Sequence, residues 1–240
     1  MCNVNLFFIP HAGGSAMGYM NFSMFLDKQI RPLPLELAGR GKRISEKCFY
    51  DVRLCAEDLF EKNYALFKNG RYAFFGHSLG TIIAYELSKI IHENNFPEPE
   101  HMFVSGRPAP CEKVKSAFDN ISELNDDDFI AQFSAASALP EQILNNKEIL
   151  NMILPVLRAD ISMAERYSAD YNLYKVPCDI TVFYGKEDKL FSGKDTYTWK
   201  KCTDNNYSEY GFDGDHFYYS NPVNKKKLCE IINSILIKNI

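Results

Sequence analysis

The sequence predicts an α/β protein in which helices cover a mostly parallel β-sheet. Short apolar runs that end in proline or glycine alternate along the chain with segments of helical spacing, and the turns between them are short. A block of about 60 residues without glycine or strand-like alternation interrupts this order. We expect a single domain over residues 1–240, with this helical block as an insertion at about 113–172.

The composition is that of an ordinary globular protein. The 240 residues are 46% hydrophobic and 24% charged, which is enough apolar material for a sizeable core. Lys and Arg number 27 against 31 Asp and Glu, so the net charge is −4. The chain therefore lacks the basic footprint of a nucleic-acid-binding protein, and its charge gives no reason to expect an anionic membrane as partner.

The N-terminus and the cysteines favour a cytoplasmic protein with reduced thiols. The first apolar run is only about four residues long before Pro10 and has no basic leader, unlike a signal peptide. No apolar stretch approaches the ~18–20 residues of a membrane span. The seven cysteines are scattered and lack C-x-x-C spacing, which argues against a zinc site or a disulfide framework.

The first part of the chain predicts two strands and a helix. Residues 6–9 are an apolar run that reads as a buried strand followed by a glycine loop. Residues 33–37 are a weaker strand candidate, because their prolines suit an edge or a strand end. Apolar residues at helical spacing predict a helix over 52–67.

The remaining elements continue the alternation. Residues 71–75 and 101–105 predict strands on either side of a helix over 81–91. Within the helical block, acidic residues at 126–128 mark a helix start, where they favour the positive end of the helix dipole. A strand over 179–184 and a final helix over about 222–237 complete the order. An insertion near the carboxyl ends of the strands would cover the place where such sheets bind ligands.

Ser78 is the candidate nucleophile. It is the serine of the G-x-S-x-G sequence at residues 76–80, which follows a predicted strand and precedes a predicted helix. In that context the motif forms a sharp, strained turn that exposes the hydroxyl, and its glycines avoid collisions there. The alternative is a serine in an ordinary glycine-rich turn.

His216 is the candidate base. A serine hydroxyl is a weak nucleophile without one, and the chain has five histidines. His77 lies inside the turn and is a poor base, whereas His92 reads as solvated and His101 as structural. His11 belongs to the first glycine loop. A histidine in a late loop suits the chain order Ser, Asp, His of this kind of site.

The third member should be a carboxylate on a loop after a strand, between Ser78 and His216. Asp188 fits, with Glu187 as the alternative, and it would hold the imidazole tautomer and stabilise the imidazolium. Asp213 and Asp215 are too near His216 in sequence to be the expected partner.

Two backbone N–H groups are expected to bind the oxyanion of a tetrahedral intermediate. One belongs to Leu79, the residue after the nucleophile. The other should come from the loop after the first strand, where we choose Ala12 and place Gly13 second. A Gly-Gly pair is weak evidence by itself and gains weight from the motif downstream.

Together these features resemble the α/β-hydrolase fold and, more narrowly, a type II thioesterase, the stand-alone editing enzyme of nonribosomal peptide and polyketide synthesis. The Leu-Arg-Ala-Asp run at 157–160 is far more specific than G-x-S-x-G. The resemblance covers nearly the whole chain and rests on residues 8–16, 39–43, 76–80, 105–110, 154–160 and 214–217, with Glu165 and Tyr167.

The resemblance implies hydrolysis of acyl groups from the phosphopantetheine thiol of an acyl or peptidyl carrier protein. It also implies a triad of Ser78, Asp188 and His216 and a mobile lid over about 113–172. The sequence indicates no requirement for a metal or a dissociable cofactor. We expect a monomer. Where the family usually has Pro-Gly-Arg, this chain has Ala38 before Gly39 and Arg40, which puts the conformation of that loop in doubt.

Other functions share the same residues. A general carboxylesterase or a medium-chain fatty-acyl thioesterase would use the same triad on other substrates. A chain-terminating thioesterase domain is a weaker alternative, because we expect the catalytic domain to take up all 240 residues. A non-catalytic binding protein on a hydrolase scaffold has no need of all three triad residues.

Two further features leave alternatives open. Apolar lid residues either pack the lid on the core or line an acyl or pantetheine channel: Phe133, Met152, Ile153, Leu154, Leu157 and Met163. The basic residues Arg40, Lys42 and Arg43 either form a solvated surface run or meet an acidic carrier protein or its phosphate.

Overall fold

Six parallel strands form one sheet. The computed structural model describes residues 4–111, 120–137, 144–167, 173–191 and 196–237. The strands are β1 (Val4–Ile9), β2 (Ile30–Pro34), β3 (Tyr72–His77), β4 (His101–Ser105), β5 (Asp179–Gly185) and β6 (Tyr207–Phe212). Their order across the sheet is β2-β1-β3-β4-β5-β6, and every neighbouring pair is parallel. The predicted fold class is therefore confirmed.

Within the described ranges, five α-helices connect or cover the strands: α1 (Val52–Lys68), α2 (Leu79–Glu93), α3 (Asp126–Ser137), α4 (Lys147–Arg166) and α5 (Pro222–Ile237). Short 3-10 helices span Ala16–Met24, Gly41–Arg43, Tyr197–Cys202 and Tyr218–Ser220. Over the described ranges, no helix combines the length and the apolar character that crossing a membrane requires.

Alternating side chains of the strands supply two cores, one on each face of the sheet. Phe7 and Phe74 pack with residues of α1 and α2, whereas their chain neighbours Phe8 and Phe75 pack with residues of α5. Successive residues of a strand point to opposite faces, so a strand covered on both faces must be apolar throughout. This explains why the central strands β1, β3 and β4 are mostly apolar along their whole length, unlike the edge strands β2 and β6.

The position of β2 differs from the prediction by three residues. Ile30 to Pro34 pair with Val4 to Phe8 of β1, and β2 lies at the edge of the sheet, where proline is tolerated. Leu35 and Leu37 are buried in the core just after the strand, so their apolar character reflects packing rather than strand pairing.

The helical block lies between β4 and β5 in the chain and has a core of its own. Of the predicted insertion 113–172, residues 113–119, 138–143 and 168–172 lie outside the described ranges. Three of the apolar lid candidates belong to this core, Met163 belongs to a core of the sheet, and the Met152 side chain is 56% exposed. The core consists of Ile121, Phe129, Phe133, Leu154, Leu157 and Ile161, with Ile153 packed against it.

Candidate active site

Ser78 occupies a strained turn between β3 and α2. Its φ is 53° and its ψ is −115°, a region that side-chain-bearing residues rarely adopt. The Ser78 N–H donates to the Ser105 carbonyl at 2.8 Å, which ties the turn to β4. A Cβ on Gly76 would lie 2.4 Å from the Gly80 carbonyl oxygen, and a Cβ on Gly80 would lie 2.1 Å from the Ile9 carbonyl oxygen. Both glycines are therefore required by close backbone approach.

The turn lies where the strand order reverses. The chain runs outward from β1 to β2 on one side and from β3 to β6 on the other. Loops at the carboxyl ends of β1 and β3 therefore leave the sheet in opposite directions and open a crevice, which is where parallel sheets bind ligands. Ser78 follows β3, and the glycine loop at residues 11–14 follows β1, so both predicted site segments border this crevice.

Asp188 and His216 are brought together from the ends of two adjacent strands, β5 and β6. The His216 Nδ1 atom lies 2.7 Å from Asp188 Oδ2, and the two side chains are 6% and 1% exposed. The other carboxylate oxygen of Asp188 accepts hydrogen bonds from the backbone N–H groups of Leu190 at 2.8 Å and Phe191 at 3.2 Å. These bonds hold the carboxylate in one orientation.

The competing carboxylates do not make this contact. Glu187, Asp213 and Asp215 are exposed. Asp213 pairs with Lys186 at 2.7 Å on the surface. Of the carboxylates considered from the sequence, only Asp188 therefore reaches His216 within the described structure.

His77 lies next to His216 and is fully buried. Its Nδ1 is 2.9 Å from the Ser105 hydroxyl, which is 2.7 Å from the Tyr218 hydroxyl. The ring centroids of His77 and His216 are 4.7 Å apart, which places His216 beside the residue that precedes Ser78. Burial lowers the pKa of His77 well below its usual value, so this imidazole is neutral at physiological pH. The expectation that His77 is not the base agrees with this placement.

His11 is a second neutral imidazole at the site. Burial, followed by electrostatic interactions with His216 and Arg40, lowers the pKa of His11 to about 4. A neutral His11 adds no repulsion to an imidazolium at His216. His92 is exposed and His101 is buried at the start of β4, as expected.

The two candidate oxyanion donors have free N–H groups. In the described parts of the chain, no acceptor engages the backbone N–H of Ala12 or Leu79. Gly13, the second choice in the loop, differs: its N–H donates to Asp160 Oδ2 at 2.7 Å. Gly14 donates to the His11 carbonyl at 2.9 Å.

Arg40 and Asp160 form a buried ion pair that the sequence reasoning missed. Arg40 Nη1 and Nη2 lie 2.6 and 2.7 Å from the two oxygens of Asp160, and the side chains are 8% and 0% exposed. Burial tends to lower the pKa of Arg40, but the hydrogen bonds and charge of Asp160 raise it overall. Both residues belong to motifs of the resemblance, and an aspartate within an apolar helical stretch is a signal for such a pair.

The idea that the basic run at 40–43 docks a partner is wrong for its two arginines. Arg40 is bound to Asp160, and Arg43 is bound to Glu46 at 2.5 Å and Asp58 at 2.8 Å. Both guanidinium groups are turned inward, and only Lys42 of the three is exposed. Because Arg40 and Arg43 are buried, the interpretation of this run as a solvated surface feature does not hold for them either.

Comparison with known proteins identifies relatives along nearly the whole chain. The gramicidin S biosynthesis protein GrsT of Aneurinibacillus migulanus is 34% identical over 215 residues, covering 90% of this chain and 82% of the relative. The thioesterase PikA5 of Streptomyces venezuelae is 32% identical over 234 residues, covering 98% and 81%.

Solved structures of similar proteins superpose on nearly the whole chain. ClbQ from the colibactin NRPS/PKS pathway superposes with a TM-score of 0.90 at 27% identity, covering 98% of each chain. The type II thioesterase BorB from the borrelidin biosynthetic cluster gives 0.84 at 28% identity, covering 97% of this chain and 92% of that one. The family model described as the thioesterase domain matches residues 4–236. A match of that extent, on a site with this geometry, shows that the chain belongs to the thioesterase family, as its resemblance to type II thioesterases predicted.

Proposed function

We propose that this thioesterase releases acyl groups from the phosphopantetheine arm of an acyl or peptidyl carrier protein, and so edits a nonribosomal peptide or polyketide assembly line. In this proposal the enzyme is a cytoplasmic monomer. The observation that carries the catalytic part is the buried Asp188–His216 pair beside the strained turn of Ser78.

The chemistry is acyl transfer in two steps. The Ser78 hydroxyl attacks the thioester carbonyl while His216 accepts its proton. Because His216 Nδ1 faces Asp188, its Nε2 is left for the proton transfer. The N–H groups of Leu79 and Ala12 bind the oxyanion. The thiol leaves with the proton from His216, and a water deprotonated by His216 then hydrolyses the acyl-Ser78 ester.

The choice of substrate rests on the relatives. GrsT is named for gramicidin S biosynthesis, and ClbQ comes from an NRPS/PKS pathway. A second candidate is release of medium-chain fatty acids, because the medium-chain S-acyl fatty acid synthase thioesterase of Rattus norvegicus is 27% identical over 228 residues, 95% of this chain. The higher identity of GrsT, at 34%, favours the assembly-line substrate.

The test compares hydrolysis of matched acyl groups on a holo carrier protein and on a small thiol. We expect higher kcat/KM on the carrier, strongest for short acyl groups. Ser78→Ala should lower kcat by at least about 10³-fold with little change in the thermal unfolding midpoint. A chain-length optimum at medium-chain acyl groups would favour the second candidate, and near wild-type turnover by Ser78→Ala would contradict the nucleophile.

A further inference from the structure

Three distant parts of the chain meet at the Asp160 carboxylate. Asp160 lies on α4, Gly13 on the loop after β1 and Arg40 on the loop after β2. Asp160 Oδ2 accepts from the Gly13 N–H at 2.7 Å and from Arg40 Nη1 at 2.6 Å. Since Asp160 has no exposed surface, water does not compete for these bonds.

A second side chain of α4, that of Leu157, also packs against the loop. Gly13 has a φ of +74°, and a Cβ placed on it would lie 2.4 Å from Leu157 Cδ2. Leu157 and Asp160 are three residues apart on α4 and therefore share one face of the helix. Arg40 also binds the loop directly, because its Nη1 donates to the Gly14 carbonyl at 3.2 Å.

These contacts determine the orientation of the neighbouring peptide. The Gly13 N–H belongs to the peptide plane that joins Ala12 to Gly13, and the Ala12 N–H belongs to the plane just before it. With the first plane bonded to Asp160, rotation about the backbone bonds of Ala12 is restricted. The free Ala12 N–H is therefore held in one direction before substrate arrives, which is the preorganisation that an oxyanion donor needs.

We propose that Asp160 is a positioning residue, which together with Arg40 holds the loop after β1 so that the Ala12 N–H faces the oxyanion. The proposal rests on the proposed function, since it takes Ala12 as an oxyanion donor. Under this proposal, catalysis depends on the position of α4 relative to the loop after β1. Helix α4 belongs to the inserted block.

Asp160→Asn is the first test. The asparagine has one oxygen where the carboxylate has two, so its NH₂ faces either Arg40 Nη2 or both Arg40 Nη1 and the Gly13 N–H. In either orientation a donor faces Arg40 and the buried guanidinium loses its counter-charge, which disturbs the contacts that hold the loop. We expect kcat to fall about 10- to 100-fold while KM changes less than about twofold, because a displaced oxyanion donor weakens the transition state more than bound substrate.

Two double variants separate positioning from charge burial. Arg40→Met with Asp160→Asn and Arg40→Met with Asp160→Leu both remove the buried pair, so neither leaves an isolated buried charge. Only the first offers Gly13 an acceptor. We expect its kcat to be at least about tenfold higher than that of the second. Equal kcat values, measured well below the unfolding midpoint of each variant, would overturn the proposal.

Glu165→Gln is the matched control if the double variants fold poorly. Glu165 lies on the same helix and accepts from the backbone N–H groups of Ile121 at 2.7 Å and Ser122 at 3.1 Å, so it anchors the inserted block without touching the loop. We expect it to lower the unfolding midpoint but to leave kcat within about threefold. An equal loss of kcat in Glu165→Gln and Asp160→Asn, at equal loss of stability, would contradict a specific role for Asp160.

The same measurements distinguish a failure of the proposed function from a failure of the role proposed for Asp160. Turnover by the wild type that does not depend on Ser78 would refute the proposed function itself. Ser78-dependent turnover with equal kcat in the two double variants would refute only the role of Asp160.

Discussion

At the scale of single residues, Asp188 determines which nitrogen of His216 is available. One carboxylate oxygen is occupied by two backbone N–H groups and the other faces His216 Nδ1. The carboxylate can only accept, so Nδ1 carries a hydrogen and Nε2 has a free lone pair. This is the tautomer that a base for Ser78 requires.

Asp188→Asn should remove the preference for the His216 tautomer that carries its hydrogen on Nδ1. The two backbone bonds keep the amide oxygen in place, so the amide NH₂ faces Nδ1 and donates to it, which moves the imidazole hydrogen to Nε2. We expect kcat on a carrier-bound thioester to fall about 10⁴-fold with the fold retained.

Glu187→Gln is the control for that substitution, because Glu187 is the adjacent, exposed carboxylate. It should leave kcat unchanged. A comparable loss in both variants would assign the role of Asp188 to general electrostatics of the loop rather than to its bond with His216.

At the scale of elements, close backbone contacts with the ends of the neighbouring strands hold the turn between β3 and α2 in place. The start of α2 lies so close to the end of β1 that only glycine fits at position 80. This contact brings the turn of Ser78 and the glycine loop to the same edge of the sheet. The strain at Ser78 is therefore maintained by packing around it.

Gly80→Ala should disturb stability and activity together. The added Cβ would lie 2.1 Å from the Ile9 carbonyl oxygen, so α2 or β1 must shift. We expect a loss of about 1–3 kcal/mol in the free energy of unfolding and a lower kcat, measured by urea unfolding and turnover.

Gly18→Ala provides the comparison, since a Cβ at Gly18 meets no atom within 4 Å. It should be neutral or stabilise the protein by up to about 1 kcal/mol, because it restricts the unfolded chain. Equal effects at the two positions would contradict the close-contact argument.

Helix α4 connects the inserted block to the site through side chains that point in different directions. Arg158 donates to the carbonyl oxygens of Ser122 at 2.6 Å and Leu124 at 2.7 Å, within the block. Asp160, two residues later, bonds instead to Gly13 and Arg40 outside it. Residues two apart lie on different faces of a helix, which explains why the Leu-Arg-Ala-Asp motif serves two partners.

At the scale of the whole molecule, buried histidines make the protein sensitive to acid. Burial lowers the pKa of His101 to about 4, and burial is also the largest cause of the lowered pKa of His11. Between the unfolded value near 6.5 and the folded value near 4, the unfolded chain binds more protons. The free energy of unfolding therefore falls as the pH falls through this window.

His101→Gln should weaken this pH dependence. His101 Nε2 lies 2.8 Å from the Thr181 hydroxyl, and glutamine keeps a polar partner there without titrating. The shift corresponds to about 2 kcal/mol of stability lost between pH 7.5 and pH 5. Urea unfolding at pH 7.5, 6 and 5 would measure it, and an unchanged slope with pH in His101→Gln would contradict a buried neutral His101.

Much of the fold and of the candidate site could be predicted from local patterns in the sequence. The final helix, expected over about 222–237, is described over Pro222–Ile237. The G-x-S-x-G sequence between a strand and a helix marked Ser78, and chain order suggested Asp188 and His216, which lie 2.7 Å apart in the structure. Such patterns are readable because each arises from interactions among a few neighbouring residues.

Only the tertiary structure decided which distant groups meet. Arg40 and Asp160 are 120 residues apart in the chain, and nothing local distinguishes a buried guanidinium from a solvated one. Likewise, the sequence placed Ala12 before Gly13 as the candidate donor, but only the structure shows that the Gly13 N–H is bonded to Asp160. The reason is physical: the partner of a charged or polar group depends on which loops the strand order brings to the same edge of the sheet, and that order is a property of the whole chain.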